Sequence, residues 1–243
     1  MGRKAQKVGS MKILVLHGWT YSIQKMEPLA KWNPFLDQIK SKDYKPILLK
    51  IPGLTKNIHE VWNLEKYVEW LKKEVKREKV ILIGHSNGGR ISLAFAQKYP
   101  QKVTHLILID SAGVYHNELP LRLKRFVFKN LAKLGRKITS SEKLRVFLYK
   151  LTREGDYKNA TLQQRQTMVN LINTDLTPIL SDIKIPTLII WGKDDTVTPL
   201  TDGIVMNKLI ENSKLFVIED AKHSPMFTSP KRVAEIISGE IGK

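Results

Sequence analysis

The stretch Val80–Gly89 constrains the fold of this chain more than any other segment. Four apolar residues, Val80–Ile83, run directly into a G-x-S-x-G pattern at Gly84–Gly88, and a helix-like segment follows at once. A buried strand that turns sharply into a helix leaves no room for side chains beside the turn, so glycines are needed there. The residue at the apex has a strained backbone and an exposed side chain. The pattern therefore predicts that Ser86 is presented as a nucleophile.

The five-residue pattern alone does not establish catalysis. Gly and Ser are common residues, so an ordinary serine in a glycine-rich turn would give the same letters. The apolar strand before the pattern and the helix after it favour the nucleophile. The rest of the chain has to decide between the two interpretations.

Short apolar strands alternate with amphipathic helices on both sides of this stretch, which predicts a parallel α/β sheet of about six strands flanked by helices. The strands are expected at Lys12–Leu16, Lys45–Ile51, Val80–Ile83, Val103–Ile109, Pro186–Trp191 and Lys214–Ile218. The helices are expected at Pro28–Ile39, Val61–Val75, Gly88–Tyr99, 199–211 and Ser229–Ile237.

The alternation of strands and helices stops over residues 114–180. No strand is predicted there, and helices are predicted near 119–134, 141–151 and 161–173. Between Ser111 and Leu180 there are 13 Lys and Arg residues against five acidic ones. We therefore expect a basic helical insertion at 114–180, within a core formed by 11–113 and 181–243.

Composition excludes several classes of protein. The 243 residues contain no cysteine, which excludes disulfides, thiolate catalysis and cysteine metal sites. No apolar run approaches the ~18 residues that span a bilayer. Residues 1–10 are basic and lack the apolar core of a signal peptide, so we expect a disordered or added tail and a cytoplasmic protein. The net charge of +18 suggests an acidic partner or an anionic surface, but no motif indicates specific nucleic-acid binding.

Two later loops supply partners for a serine nucleophile, which needs a base to take its proton and an acid to orient the base. The loop Gly192–Pro199 contains Asp194 and Asp195, and the loop Ala221–Pro225 contains His223. All follow the carboxyl ends of predicted strands, the edge at which open α/β sheets bind ligands. The candidates follow one another in the chain order Ser, Asp, His, which is expected when the acid and then the histidine come from later strands.

Attack by such a serine on a carbonyl group also needs two backbone N–H groups that stabilise the oxyanion. One is expected from Asn87, directly after the nucleophile. The other is expected from the loop His17-Gly18-Trp19 after the first strand, with the Trp19 N–H as donor, because Gly18 permits a close approach of the chain.

Taken together, these segments resemble the α/β-hydrolase superfamily from Lys12 to about Ile241. The family's HG loop matches His17-Gly18, its nucleophile elbow matches Gly84–Gly88, and its final histidine matches His223. Its acid pattern G-x-x-D-x-x-x-P matches at Gly192, Asp195 and Pro199, which favours Asp195 over Asp194. The family inserts a helical cap where 114–180 falls. Some relatives place the acid at the position of Asp110, which remains an alternative.

The resemblance implies a serine hydrolase of carboxylic esters that needs no metal or organic cofactor. The predicted site is catalytic Ser86, Asp195 and His223, with substrate-pocket positions at His17, Gly18, His85, Tyr115 and Met226. Thioesters, carrier-protein-linked esters and carbon–carbon bonds suit the same triad. A basic cap would fit an acidic carrier protein, and a non-catalytic ligand-binding protein on this scaffold is the alternative from another class.

Overall fold

A computed structural model describes residues 10–19, 27–56, 58–115 and 160–242 of the chain. Six parallel strands form one sheet in the order β2-β1-β3-β4-β5-β6. The strands are β1 Met11–Leu16, β2 Tyr44–Leu48, β3 Val80–His85, β4 Val103–Ile109, β5 Thr187–Gly192 and β6 Ser213–Ile218. The predicted parallel α/β sheet is confirmed.

The described helices connect the strands and cover both faces of the sheet. They are α1 Glu27–Ala30, α2 Asn33–Ile39, α3 Leu64–Val75, α4 Asn87–Lys98, α5 Leu162–Ile172, α6 Leu200–Leu209, α7 Pro225–Thr228 and α8 Pro230–Ile241. Short 3₁₀ turns lie at Pro100–Lys102 and Thr177–Asp182. Within the described ranges, no helix is long and apolar enough to cross a membrane.

The two faces of the sheet bury different side chains, because neighbouring strand residues point to opposite sides. One face presents mainly leucines to α3, α4 and α6, including Leu16, Leu82 and Leu108. The other presents β-branched residues to α2 and α8, including Val15, Ile83 and Ile109. The central strands are therefore buried on both faces, as their continuous apolar runs predict.

Two predicted elements differ in extent from the observed ones. The helix expected over Pro28–Ile39 is two helices separated by a turn, because Pro34 lacks an N–H and occupies the first turn of α2. The strand expected over Lys45–Ile51 pairs with β1 only from Tyr44 to Leu48. The chain then turns through Pro52 and Gly53, whose φ of 77° suits glycine.

The last part of the predicted insertion packs on the core. A capping box between Thr161 and Gln164 starts α5. Gln164 also donates from Nε2 to the Gly53 carbonyl at 2.8 Å, and Thr167 accepts from the Trp62 N–H at 2.8 Å. The helices predicted near 119–134 and 141–151 lie outside the described residues, as does the tail up to residue 9.

Candidate active site

Ser86 occupies the apex of the turn between β3 and α4. Its φ of 53° and ψ of −121° are the strained conformation that the sequence predicts. The flanking glycines are required by close packing. A Cβ on Gly88 would lie 2.1 Å from the Leu16 carbonyl oxygen, and one on Gly84 would lie 2.5 Å from the Cα of Gly89. The turn therefore tolerates no side chain at either position.

The loop after β1 packs directly on this turn. A Cβ on Gly18 would lie 3.0 Å from the Ser86 Cβ and 2.9 Å from the His85 Nδ1. Trp19 follows in the chain, is half-buried and packs against the leucine-rich core. Asn87 is the first residue of α4, where backbone N–H groups lack helical partners. The two predicted oxyanion donors thus belong to segments that flank Ser86.

Three side chains from distant positions form one hydrogen-bonded series. His223 Nε2 lies 3.1 Å from Ser86 Oγ, and His223 Nδ1 lies 2.8 Å from Asp195 Oδ2. Because a carboxylate can only accept, the proton of the neutral imidazole is on Nδ1, which leaves Nε2 as the acceptor for the serine hydroxyl. This is the arrangement that a general base for serine requires.

The Asp195 carboxylate is buried and hydrogen-bonded on both oxygens. Oδ1 accepts from the backbone N–H groups of Val197 at 2.7 Å and Thr198 at 3.1 Å. Oδ2 accepts from His223 and from the Thr198 hydroxyl at 2.7 Å. Burial by itself would raise the pKa of this carboxyl, but the hydrogen bonds from His223, Thr198 and Val197 lower the pKa below its ordinary value. The neighbouring Asp194 is exposed.

Thr198 is a site residue that the sequence reasoning missed. Its Oγ1 lies 2.7 Å from Asp195 Oδ2, 3.1 Å from the Asp110 carbonyl oxygen and 3.2 Å from His223 Nδ1. A hydroxyl has one proton, and the shortest contact places it on Asp195. The signal was a threonine three residues after the acid, a spacing that lets its N–H and hydroxyl both reach the carboxylate.

Asp110 directly follows β4 and lies near the Asp195 carboxylate. It is fully buried, has a φ of 42°, and accepts the Gly192 N–H on Oδ1 at 2.8 Å. Burial raises the pKa of Asp110 to about 8, and the nearby charge of Asp195 acts in the same direction. Asp110 is therefore a neutral carboxylic acid at neutral pH, and its hydrogen bond joins β4 to the end of β5.

Two buried histidines support the loops around Ser86. His17 donates from Nδ1 to the Gly18 carbonyl at 2.7 Å, and its Nε2 lies 3.3 Å from Thr55 Oγ1. Burial lowers the pKa of His17 to about 4 and that of His85 to about 3. Both rings are therefore neutral at neutral pH, so neither brings a charge to the pocket.

The other predicted pocket residues lie in different surroundings. Tyr115 is half-buried, and its backbone N–H donates to Asp175 Oδ1 at 3.2 Å. Met226 is only 1% exposed and belongs to the core cluster on the β-branched face of the sheet, together with Ile218 and Ala221. We therefore assign Met226 to packing beneath the His223 loop.

In the described part of the chain, one group of three side chains has metal-ligand atoms close together. These atoms, from His85, Asp110 and His223, lie within 4.8 Å of one another. Both nitrogens of His223 are in hydrogen bonds with Asp195 and Ser86, and His85 Nε2 donates to a carbonyl. A metal would have to break these bonds, so the geometry favours a hydrogen-bond network over a metal centre.

Comparison with known proteins identifies the family of this chain. The model of the α/β-hydrolase fold family matches residues 13–230, which is most of the chain and includes the three side chains of the series. The chain belongs to the α/β-hydrolase fold family. The strained serine after β3 and the histidine after β6 both lie within the matched residues.

Among curated relatives, this α/β hydrolase is 28% identical to the pimeloyl-[acyl-carrier protein] methyl ester esterase of Wigglesworthia glossinidia brevipalpis, over 97% of this chain and 95% of that protein. It is 27% identical to the 2-hydroxy-6-oxo-6-phenylhexa-2,4-dienoate hydrolase of Comamonas testosteroni, over 79% of this chain and 73% of that protein. A solved esterase from Thermogutta terrifontis has the same fold, with a TM-score of 0.70 at 20% identity over 96% of this chain and 90% of that one.

Proposed function

We propose that this protein is a serine hydrolase that cleaves carboxylic esters through an acyl-enzyme. The observation that carries the proposal is the series of two contacts, 3.1 Å from Ser86 to His223 and 2.8 Å from His223 to Asp195. A serine with a strained backbone, a neutral imidazole within hydrogen-bond reach and a buried carboxylate behind it are together the machinery of acyl transfer.

The proposed reaction has two halves. Ser86 Oγ attacks the ester carbonyl as its proton passes to His223 Nε2, and the N–H groups of Trp19 and Asn87 stabilise the oxyanion. His223 then gives that proton to the departing alcohol, which leaves the acyl group on Ser86. A water molecule loses a proton to His223 and attacks the acyl carbon. His223 then returns this proton to Ser86 Oγ as the bond from Ser86 to the acyl group breaks and the acid leaves. Asp195 stabilises the imidazolium in both halves.

Labelling with a fluorophosphonate probe tests the nucleophile without knowledge of the natural substrate. The protein should be labelled, and Ser86→Ala should abolish labelling and ester cleavage. Ser213→Ala is the matched control, because that serine lies at the start of β6, the edge opposite the site. If the folded protein is not labelled, the acyl-enzyme proposal is wrong and the non-catalytic ligand-binding alternative is favoured.

Esters linked to an acidic carrier protein are the substrate class that we propose first. The esterase relative that aligns over 97% of this chain is named for such a substrate, and residues 111–180 carry 13 basic residues against five acidic ones. Cationic side chains near a site attract an acidic partner and speed its association.

Charge reversal tests whether the basic residues of 114–180 bind the carrier protein, or whether positive charge anywhere on the protein has the same effect. Arg122→Glu with Arg125→Glu should raise the KM for a carrier-bound methyl ester and leave hydrolysis of the free methyl ester unchanged. The exposed pair Lys208→Glu and Lys231→Glu on α6 and α8 provides the same charge change outside the insertion. Equal effects of both pairs on the carrier-bound ester would contradict docking through 114–180.

Carbon–carbon hydrolysis is the second candidate, favoured by the dienoate hydrolase relative. The substrate in that name carries a ketone and no ester, and the same serine series can attack a ketone carbonyl. A panel of 4-nitrophenyl esters from acetate to palmitate, run beside that dienoate, decides between the two. Cleavage of the dienoate without cleavage of any ester would overturn the ester assignment and leave the nucleophile unchanged.

A further inference from the structure

His85 lies where the three loops of the site meet. It is the last residue of β3 and directly precedes Ser86. Its side chain is 6% exposed and follows Ile81 and Ile83 on the same face of the strand, since strand residues two apart share a face. The position is thus buried in the molecule next to the nucleophile.

The ring of His85 donates a hydrogen bond to the backbone of the base loop. His85 Nε2 lies 2.8 Å from the His223 carbonyl oxygen, a group that can only accept. The proton of the neutral ring is therefore on Nε2. This bond joins two residues 138 positions apart and ties the end of β3 to the residue whose ring takes the serine proton.

The other edge of the ring contacts the proposed oxyanion loop. A Cβ on Gly18 would lie 2.9 Å from His85 Nδ1, so the backbone of that loop rests against the ring. The ring centroid of His85 also lies 5.0 Å from that of His223 and 5.9 Å from that of Trp32. One side chain therefore touches the nucleophile strand, the oxyanion loop and the base loop.

The base loop is already held from the side of the acid. The Asp194 N–H donates to the Ala221 carbonyl at 3.0 Å, and the Gly192 backbone packs against the Lys222 carbonyl. These contacts locate the loop relative to β5. They do not fix the position of the base loop relative to β3, which directly precedes Ser86. The hydrogen bond from His85 fixes that position.

We propose that His85 is a positioning residue, which anchors the His223 backbone to the nucleophile strand and thereby holds His223 Nε2 at its distance from Ser86 Oγ. The inference rests on the proposed function, because it assigns His223 as the base. It differs from a pocket-wall role, in which His85 would contact substrate and its loss would change KM.

The test compares His85→Gln with His85→Met, two side chains of similar length of which only glutamine has an N–H donor. Misplacement of a catalytic group by about 1 Å can cost about 100-fold in rate. We expect the methionine variant to lose about 100-fold in kcat with KM within about threefold, and the glutamine variant to retain most of kcat. The fluorophosphonate labelling rate should fall in parallel with kcat.

The difference in kcat between the glutamine and methionine variants, at similar free energies of unfolding, is a readout that a packing role would not change. The control Ile83→Val removes one methylene from the same face of β3 and should lower stability by a small amount without changing kcat.

Nitrogen-15 NMR of the wild-type histidines tests the hydrogen bond even if a variant does not fold. The His85 signal should show the Nε2–H tautomer at pH 7. An Nδ1–H tautomer, or equal kcat for the glutamine and methionine variants, would overturn the proposal. A wild-type protein that neither reacts with the probe nor cleaves esters would instead overturn the proposed function.

Discussion

Two buried carboxyl groups, those of Asp195 and Asp110, lie close to His223, and single substitutions separate their roles. Asp195→Asn should lower kcat by about 10⁴-fold, because an amide N–H next to His223 Nδ1 favours the wrong tautomer. The exposed Asp194 provides the control, and Asp194→Asn should change kcat less than about twofold. A severe loss in Asp110→Asn together with a mild one in Asp195→Asn would show that Asp110 is the acid.

The buried carboxyl of Asp110 predicts an unusual dependence of stability on pH. Its pKa is raised to about 8 by burial, so the folded protein keeps a proton that the unfolded chain has lost. The stability from this group is fully present below about pH 4 and is lost as pH rises through about 8.

Asp110→Asn keeps the acceptor for the Gly192 N–H and removes the titration. Since one pKa unit corresponds to about 1.4 kcal/mol, we expect the free energy of unfolding of the wild type to fall by at least about 1 kcal/mol relative to the variant between pH 5 and pH 9. Urea unfolding at both pH values measures the difference. A difference that does not change with pH would show that Asp110 is ionised throughout.

At the scale of elements, the packing of α4 against β1 depends on Gly88. A Cβ there would lie 2.1 Å from the Leu16 carbonyl oxygen, and both partners are backbone. Gly88→Ala should therefore push α4 away from the sheet, cost about 3 kcal/mol or more of unfolding free energy, and abolish probe labelling of Ser86.

Gly239 is the matched control in another helix. It is an exposed residue of α8, and a Cβ there would meet nothing within 4 Å. Gly239→Ala should raise the free energy of unfolding by about 0.5–1 kcal/mol and leave labelling unchanged. Both variants can be compared by urea unfolding. Small and equal changes in the free energy of unfolding of the two variants would mean that the turn at Ser86 tolerates a side chain at position 88.

At the scale of the whole molecule, the net charge of +18 decides how salt acts on stability. Described ion pairs such as Lys12–Glu78 and Lys184–Glu211 are exposed and contribute little. Repulsion among the excess cations destabilises the compact state. The screening length falls from about 30 Å at 0.01 M salt to about 8 Å at 0.15 M. We therefore expect sodium chloride over this range to raise the melting temperature at pH 7.

The control is the same series of sodium chloride concentrations near pH 9.9. The sequence isoelectric point is about 9.9, so the net repulsion vanishes there. The rise in melting temperature should then disappear. A melting temperature that falls with salt at pH 7 would show that the exposed ion pairs outweigh the repulsion.

The local features of this protein can be predicted from its amino-acid sequence. Short apolar runs predicted each strand of the described sheet within a few residues, because a strand that is buried on both faces is apolar at nearly every position. Gly84 and Gly88 predicted the turn at Ser86, because no side chain fits beside it. The candidate Ser86, Asp195 and His223 could be named because each follows a strand, and parallel strands end at one edge.

The hydrogen bonds that support the site, by contrast, depend on tertiary packing. The bond from His85 to the His223 carbonyl spans 138 positions, and the one from Asp110 to Gly192 spans 82. The Thr198 hydroxyl lies between the Asp195 carboxylate and the backbone carbonyl oxygen of Asp110. None of these contacts leaves a periodic trace in the chain, because such hydrogen bonds depend on where packed strands place their ends. Local patterns fix the elements, and packing alone brings their polar side chains within 3 Å of one another.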